Sequence, residues 1–253
     1  MAEHRFEGGF DGGATLVDGT VRRAVGPWSA SVQRLLAHLR DRGFDGAPLP
    51  LGLDEQGREV VSYLPGEAVG SQRPWPEWTH SDEALVQVAC WLRRFHEAVL
   101  DFGPGPDAVW REGGTWHPGE VIGHNDAAPY NAVWRDGRLV GFVDWDMSGP
   151  LARESDVAWM AFSWVPLHAR DVVESEGFTD FADRRRRLEL FLTAYGAGPF
   201  GADGLLDVLR VRLPAKIEAM RVAARSGDAT YQRLLDEGSG LVLIRALEGL
   251  DEV

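Results

Sequence analysis

The chain has 253 residues, a hydrophobic share of 44% and a formal net charge of −13, from 26 basic and 39 acidic residues. This length suits one large domain or two unequal lobes, and the apolar share is sufficient for a sizeable core. The acidic balance argues against a nucleic-acid-binding protein, which needs a basic face. It is compatible with a cationic small ligand, and equally with a role in solubility alone.

Cys90 is the only cysteine, so the sequence excludes an intrachain disulfide and a cysteine-rich zinc site. It lies in an apolar helical pattern and is predicted to be buried packing. The first residues, "MAEHRFEGGF", have no apolar signal core, and no apolar run approaches the length of a membrane span. We therefore predict a cytoplasmic protein, a monomer or weak homodimer, without membrane or nucleic-acid partners.

The first 65 residues predict a small lobe rich in β-structure. Two short strand-like runs surround the Asp-Gly pair at 18–19, and two more surround the Gln-Gly pair at 56–57. Between them, the segment 27–43 has leucines at helical spacing and ends on a glycine, which is typical of one amphipathic helix. The Leu-Pro-Gly sequence at 64–66 breaks the pattern and is the candidate linker.

The remaining residues, 66–253, predict a larger and mainly helical lobe that carries a β-hairpin turning at 136–137. Four further helical segments follow residue 150, and Pro214 is expected to kink or interrupt the third. The arginine run 184–187 has acids at helical spacing and is interpreted as a solvated helix face rather than a binding patch. The fold class is therefore α+β, with a small β-sheet lobe containing one helix and a larger helical lobe.

The polar residues of "HNDAAPYNAVWRDGRLVGFVDWD", 124–146, lie at both ends of the predicted hairpin. Asn131 leads into its first strand and Asp144 ends its second, so the two should meet in space, with Asp126 nearby. One charged and one neutral oxygen ligand suit Mg²⁺, which completes its shell with water and phosphate. Asp126, just outside that shell, is placed to accept or orient a hydroxyl proton. The segment therefore predicts phosphoryl transfer.

The same segment resembles a known family. "HNDAAPYN" has the H-x-D-x-x-x-x-N spacing of the protein-kinase catalytic loop, and "VDWD" stands where the metal-binding D-F-G of kinases stands. This variant resembles the aminoglycoside phosphotransferase and choline-kinase-like family, which uses the bilobal protein-kinase-like fold on small molecules. The resemblance implies that Asp126 is the catalytic base, that Asn131 and Asp144 hold the metal, and that His124 braces the loop. It also implies a nucleotide-binding lobe, 1–65, and a catalytic and acceptor-binding lobe, 66–253.

The phosphate-binding half of the pattern departs from that family. Kinases hold the nucleotide phosphates with a lysine on the third strand, braced by a glutamate on the following helix. The only lysine here is Lys216, far along the chain, and the predicted helix contains no glutamate. Arg23 is predicted to replace the lysine, with Val21 on the same strand face packing on adenine. The alternative is a solvent-facing arginine pair on an edge strand, and Gln33 occupies roughly the place of the brace.

Two further nucleotide contacts follow from the resemblance. "VVSYLPGE" resembles the hinge that binds adenine, which implies main-chain contacts at Ser62, Tyr63 and Leu64. The stretch "EGGFDGGAT", 7–15, lacks a clean G-x-G-x-x-G but is expected to cover phosphates with its backbone N–H groups.

The sequence thus predicts a phosphotransferase that uses ATP or GTP with Mg²⁺ and moves the γ-phosphoryl group to a hydroxyl of a small molecule. An aminoglycoside or other amino-alcohol fits the family and the acidic balance, with antibiotic self-resistance or small-molecule salvage as its role. The alternative is a catalytically weak or inactive kinase-like binding or immunity protein, which the missing lysine and glutamate favour. A metal-dependent hydrolase is disfavoured, because His117 and His124 are the only nearby imidazoles.

Overall fold

The computed structural model describes residues 3–6, 13–70, 72–196 and 201–253. The chain forms two compact units, one of residues 1–71 and 91–153, the other of residues 72–90 and 154–253. The predicted α+β class is confirmed, because the described sheets are antiparallel and a run of helices follows the last strand. The division into functional lobes at residue 65 stays a prediction.

The strands of the first unit pair in three antiparallel sheets among the described residues. In chain order they are β1 (Glu3–Arg5), β2 (Thr15–Val17), β3 (Thr20–Arg23), β4 (Pro50–Leu53), β5 (Glu59–Ser62), β6 (Glu67–Ala68), β7 (Val121–Gly123), β8 (Ala132–Arg135), β9 (Arg138–Phe142) and β10 (Gly149–Leu151). The strand orders are β1-β2-β3-β5-β4, β6-β8-β9 and β10-β7. Strand β3 is therefore interior to the largest sheet.

Two tight turns determine how these strands pair. Asp18 and Gly19 have φ of 48° and 76°, and Asp136 and Gly137 have φ of 53° and 72°. Two successive residues with positive φ form the turn whose twist matches paired strands. The hairpins predicted at these two turns are therefore confirmed, as β2–β3 and β8–β9, and the strands predicted around 56–57 pair as β4–β5.

Helices make up most of the second unit. In chain order, the described α-helices of both units are α1 (Ser29–Asp41), α2 (Asp82–Ala98), α3 (Arg153–Trp164), α4 (Arg170–Ser175), α5 (Arg184–Tyr195), α6 (Ala202–Arg225), α7 (Ala229–Asp236) and α8 (Ser239–Gly249). Helix α1 belongs to the first unit, and the chain passes from the second unit to the first within α2. Ser81 caps α2, because its Oγ accepts a hydrogen bond from the main-chain N–H of Ala84 at 3.1 Å.

An aromatic cluster forms the core of the first unit. The ring centroids of Trp91 and Phe142 lie 4.5 Å apart, and those of His124 and Trp145 also lie 4.5 Å apart. Such ring pairs contribute beyond their buried area. The β8–β9 hairpin is thereby anchored where it continues into the polar residues at 143–146.

The arginine run at the start of α5 differs from its prediction. Arg184 and Arg187 are buried, so a fully solvated face is wrong for these two residues. Arg187 donates to the main-chain carbonyls of His80 at 2.7 Å and Trp164 at 3.2 Å. Both carbonyls lie near helix ends, where oxygen atoms need a donor from outside the helix. Arg186 is exposed, as expected.

Two other expectations are corrected in the second unit. Cys90 is exposed, because α2 turns its neighbours Ala89 and Leu92 inward and so directs position 90 outward. Pro214 does not interrupt its helix, since α6 runs unbroken from Ala202 to Arg225, and the alternative of a kink stays a prediction. Among the described residues, no helix combines the length and apolar character that a membrane crossing requires.

Glu176 is a buried acid of the second unit. Its carboxylate accepts a hydrogen bond from Nη2 of Arg73 at 2.8 Å, and its main-chain carbonyl accepts one from N–H of Trp75 at 3.0 Å. Burial raises the pKa of the Glu176 carboxyl to about 7, although Arg73 acts in the opposite direction. The folded protein therefore binds this proton more tightly than the unfolded chain does.

We expect the protein to become less stable as the pH rises and Glu176 loses this proton. A raised pKa contributes stability that is complete below the carboxyl's ordinary value of 4.5 and is lost as the pH rises through about 7. The loss should be on the order of 2–3 kcal/mol, and Glu176→Gln should remove that part of the pH dependence. Urea unfolding at pH 5 and pH 8 measures it, with the exposed Glu174→Gln as control. Identical pH slopes for the wild type and Glu176→Gln would contradict this expectation.

Candidate active site

The loop between β7 and β8 holds Asp126 in a fixed orientation. Its Oδ1 accepts a hydrogen bond from the hydroxyl of Tyr130 at 2.6 Å, and its Oδ2 accepts one from Nδ2 of Asn131 at 2.8 Å. Both carboxylate oxygens are therefore oriented by residues of the same loop. Each oxygen has a second lone-pair direction, so the carboxylate retains capacity to accept a proton from a ligand.

His124 supports this loop from the core. It is fully buried, and its Nδ1 accepts a hydrogen bond from the main-chain N–H of Asp126 at 3.3 Å. The next residue, Asn125, adopts a positive φ of 62°. Backbone in this sparsely populated region persists only where the surroundings impose it, and it concentrates at functional sites. A histidine that packs against rings and orients the loop agrees with the role expected for His124.

The structure brings the two open ends of the β8–β9 hairpin together. The main-chain N–H of Val143 donates to the carbonyl of Asn131 at 3.0 Å, which places Asn131 beside the residue that precedes Asp144. Asp144 adopts the left-handed conformation, with φ of 59° and ψ of 68°. Its side chain is 31% exposed, so the carboxylate is accessible to a ligand.

The donor set at this position fits Mg²⁺. The Nδ2 of Asn131 donates to the main-chain carbonyl of Asp126 at 2.9 Å as well as to its carboxylate, which leaves the amide oxygen of Asn131 for a cation. That oxygen and the carboxylate of Asp144 are hard ligands of the type Mg²⁺ prefers. Among the described residues, no group of three or more His, Cys, Asp or Glu side chains forms a closed metal cage. An open pair of oxygens leaves room for water and phosphate.

Arg23 lies beside these carboxylates. Its Nε is 2.6 Å from Oε2 of Glu59, its Nη2 is 2.9 Å from Oδ1 of Asp146, and its Nη1 is 3.6 Å from Oδ1 of Asp144. Burial alone lowers the pKa of the guanidinium, but the carboxylates of Asp146, Glu59 and Asp144 together raise it above its ordinary value. Arg23 is therefore a permanent cation. Because β3 is interior to its sheet, the alternative of an edge-strand arginine facing solvent does not apply to Arg23.

Arg22 points to the opposite face of β3. Its Nη1 donates to the carbonyl of Val17 at 3.0 Å, and its Nε lies 3.5 Å from Oδ2 of Asp54. Successive strand residues alternate between faces, so only one of the two arginines can reach the polar group at 144–146. Val21 pairs with Val61 on β5, and its packing against adenine stays a prediction.

Glu59 is the residue that the sequence analysis missed. It is the first residue of β5, fully buried, and stands directly opposite Arg23 in the strand register. Its second oxygen, Oε1, accepts a hydrogen bond from Nε2 of Gln33 at 2.7 Å. The sequence carried one signal, a glutamate opening an otherwise apolar strand. The kinase pattern instead places the brace on the helix after the third strand, where this chain has Gln33.

The predicted hinge lies at the end of β5. The main-chain N–H of Ser62 donates to the carbonyl of Leu49 at 2.9 Å, and that of Tyr63 donates to the carbonyl of Gly19 at 3.2 Å. These two donors are engaged within the sheet, while Leu64 follows as a buried residue beyond the strand. The adenine contacts at 62–64 stay a prediction. The glycine-rich stretch at 7–12 lies outside the described residues.

Comparisons with known proteins agree with this geometry. Residues 106–191 match the phosphotransferase enzyme family. Over 206 residues the chain is 37% identical to the trifolitoxin immunity protein of Rhizobium leguminosarum bv. trifolii, covering 78% of this chain and 77% of that protein.

Solved structures of lower identity share the fold. The macrolide 2′-phosphotransferase MphH of Brachybacterium faecium is 15% identical, with a TM-score of 0.58 over 98% of this chain and 92% of that chain. The amicoumacin kinase hAmiN, in complex with AMP-PNP, Ca²⁺ and its ligand, is 13% identical, with a TM-score of 0.61 over 95% and 83%. These structures show the fold, and the sequence matches establish that the chain belongs to the phosphotransferase enzyme family.

Proposed function

We propose that the protein is a small-molecule kinase that transfers the γ-phosphoryl group of ATP or GTP to a hydroxyl group, with Mg²⁺ as cofactor. The observation that carries the proposal is the approach of Arg23 to Asp144, with Nη1 and Oδ1 3.6 Å apart. A fixed cation for phosphate oxygens beside a carboxylate for a metal ion is what phosphoryl transfer needs, because its catalysis is mostly positioning and charge neutralisation. Membership of the phosphotransferase family supports it.

Each residue then has a defined role. Arg23 binds nucleotide phosphate oxygens, for which a planar guanidinium offers two parallel donors. The amide oxygen of Asn131 and the carboxylate of Asp144 would hold Mg²⁺, which supplies charge neutralisation at the phosphates when bound. Asp126 orients the acceptor hydroxyl and accepts its proton as that oxygen attacks the γ-phosphorus. Tyr130 and Asn131 keep the Asp126 carboxylate turned to the incoming hydroxyl.

The acceptor proposed is a small molecule with a hydroxyl and an amine, such as an aminoglycoside or another amino-alcohol. The net charge of −13 favours cationic ligands. Relatives of the same fold include a macrolide phosphotransferase and an amicoumacin kinase, both acting on small molecules. Residues 1–65 would bind the nucleotide and residues 66–253 the acceptor, in a cytoplasmic monomer or weak homodimer that confers resistance to an antibiotic.

Nucleotide-dependent thermal stabilisation tests this proposal. ATP or GTP at about 100 times its Kd should stabilise the fold by roughly 3 kcal/mol, which raises Tm by several degrees. The rise should require Mg²⁺. Candidate acceptors should then stimulate release of the nucleoside diphosphate. A protein whose Tm responds to neither nucleotide, with or without Mg²⁺, would contradict the proposal.

A second function is favoured by one specific finding. The related trifolitoxin immunity protein carries a name that describes protection rather than catalysis. An immunity protein of this fold could sequester its ligand without phosphorylating it, and the replacement of the usual lysine by Arg23 is compatible with lost catalysis. The two functions differ in whether protection depends on the Asp126 carboxylate.

A further inference from the structure

We propose that Glu59 is the positioning residue that holds Arg23 for phosphate binding and keeps it from occupying the proposed metal-binding carboxylate of Asp144. This inference rests on the proposed kinase function. Here the glutamate that pairs with the phosphate-binding cation lies on a strand, whereas in protein kinases it lies on the helix after the third strand. Glu59 would act through Arg23 and would not touch the nucleotide.

The position of Glu59 follows from strand register. Arg23 and Glu59 are direct cross-strand partners in the β3–β5 pair, so their side chains stand on the same face of the sheet. Their shared hydrogen bond, from Nε of Arg23 to Oε2, is 2.6 Å long. Charge-assisted bonds of this length are among the stronger ones in proteins. The pairing of β3 with β5 therefore fixes the contact between Arg23 and Glu59.

The other oxygen of Glu59 is used as well. Gln33 of α1 donates to Oε1 at 2.7 Å, and the Glu59 side chain is 1% exposed. A buried carboxylate is costly unless it is paired and hydrogen-bonded. Both oxygens have partners here, one cationic and one neutral. Helix α1 thus contributes the neutral amide of Gln33, whereas the corresponding helix of protein kinases contributes a charged glutamate.

Glu59 also opposes the attraction of Arg23 toward two other carboxylates. The guanidinium of Arg23 is drawn on its other side by Asp146 at 2.9 Å and Asp144 at 3.6 Å. Without the charge of Glu59, these two carboxylates would be the remaining acids that attract it among the described residues, and Arg23 would move toward Asp144. It would then compete with Mg²⁺ for that carboxylate and leave the position in which it meets phosphate. Nucleotide affinity and the Mg²⁺ requirement should both depend on Glu59.

The test is a set of charge substitutions measured by thermal shift and by nucleotide titration. Glu59→Gln keeps the size of the side chain and removes its charge, and the Gln33 amide can turn to accept a hydrogen bond. We expect roughly tenfold weaker Mg-nucleotide binding, and a severalfold higher Mg²⁺ concentration for half-maximal stabilisation. Glu55→Gln is the matched control, because Glu55 is an exposed acid in the adjoining β4–β5 turn.

Weaker binding by Glu59→Gln could also result from loss of folding, so a second variant restores the negative charge at position 33. Glu59→Gln combined with Gln33→Glu returns one carboxylate to the same hydrogen-bonded pair, and we expect it to bind Mg-nucleotide at least about threefold more tightly than Glu59→Gln alone. Unchanged affinity and Mg²⁺ requirement in Glu59→Gln would overturn the inference while leaving the kinase proposal intact. A folded double variant without any recovery would also overturn it. Absence of nucleotide binding in the wild type would instead refute the kinase function.

Discussion

Replacing Asp126 by asparagine is expected to lower the rate of phosphoryl transfer by about 10²–10⁴-fold, because general-base assistance is lost. Nucleotide affinity should change little, since Asp126 is assigned to the acceptor hydroxyl and not to the phosphates. The asparagine oxygen can accept the hydrogen bond from Asn131 while its amide donates to the Tyr130 hydroxyl, so the loop should keep its conformation. Single-turnover transfer with saturating nucleotide and acceptor measures the chemical step directly.

The control for this variant is Asp136→Asn. Asp136 lies in the exposed β8–β9 turn, so the substitution makes the same change in net charge away from the carboxylate group. Transfer at the wild-type rate in Asp126→Asn would rule out Asp126 as the base. If cells expressing Asp126→Asn were protected from a toxin or antibiotic as well as cells expressing the wild type, protection would be sequestration, and the immunity function would be favoured over catalysis.

Replacing Asp144 by asparagine is expected to abolish most of the Mg²⁺-dependent part of nucleotide binding. Asp144 is the only charged member of the proposed metal-ligand pair, and Mg²⁺ binds an amide oxygen far less strongly than a carboxylate. We expect at least about tenfold weaker Mg-nucleotide binding and little Mg²⁺-dependent rise in Tm. Titration of nucleotide at several Mg²⁺ concentrations, followed by thermal shift, measures both quantities.

Asparagine is preferred to alanine at this position for a conformational reason. Asp144 has a φ of 59°, and asparagine adopts the left-handed conformation more readily than other residues with a side chain. Asp136→Asn is again the matched control, since Asp136 has a φ of 53° and is exposed. A full Mg²⁺-dependent shift in Asp144→Asn would show that the metal is held elsewhere.

Much of the candidate site could be predicted because its residues lie close together in the sequence. Asp126 and Asn131 lie five residues apart on one loop, and the Asp136-Gly137 turn brings the ends of its own hairpin together. A tight turn with two positive φ values pairs its flanking strands over a short closed loop, so the approach of Asn131 to the segment before Asp144 needed no distant contact. The α+β class followed from hydrophobic periodicity in the same way.

Burial of charged and reactive side chains was predicted less well. The acids at helical spacing around residues 184–187 suggested a solvated face, but the structure buries Arg187 against main-chain carbonyls of other helices and Arg184 beside the carbonyl of Phe181. Cys90 shows the opposite error, since an apolar neighbourhood in sequence does not say which way one helical position points. Both depend on which faces neighbouring helices cover, and a single helical pattern does not contain that information.

What the sequence by itself determined is the spacing of Asp126, Asn131 and Asp144 and the turn between them, which form the half of the site proposed to bind metal and accept a proton. What only the tertiary structure decided is the half proposed to bind phosphate. Arg23 and Glu59 lie 36 residues apart and meet because β3 and β5 pair in one particular register. A shift of one residue would turn Glu59 to the other face of the sheet, and that register depends on packing of the whole sheet and α1 rather than on any local pattern.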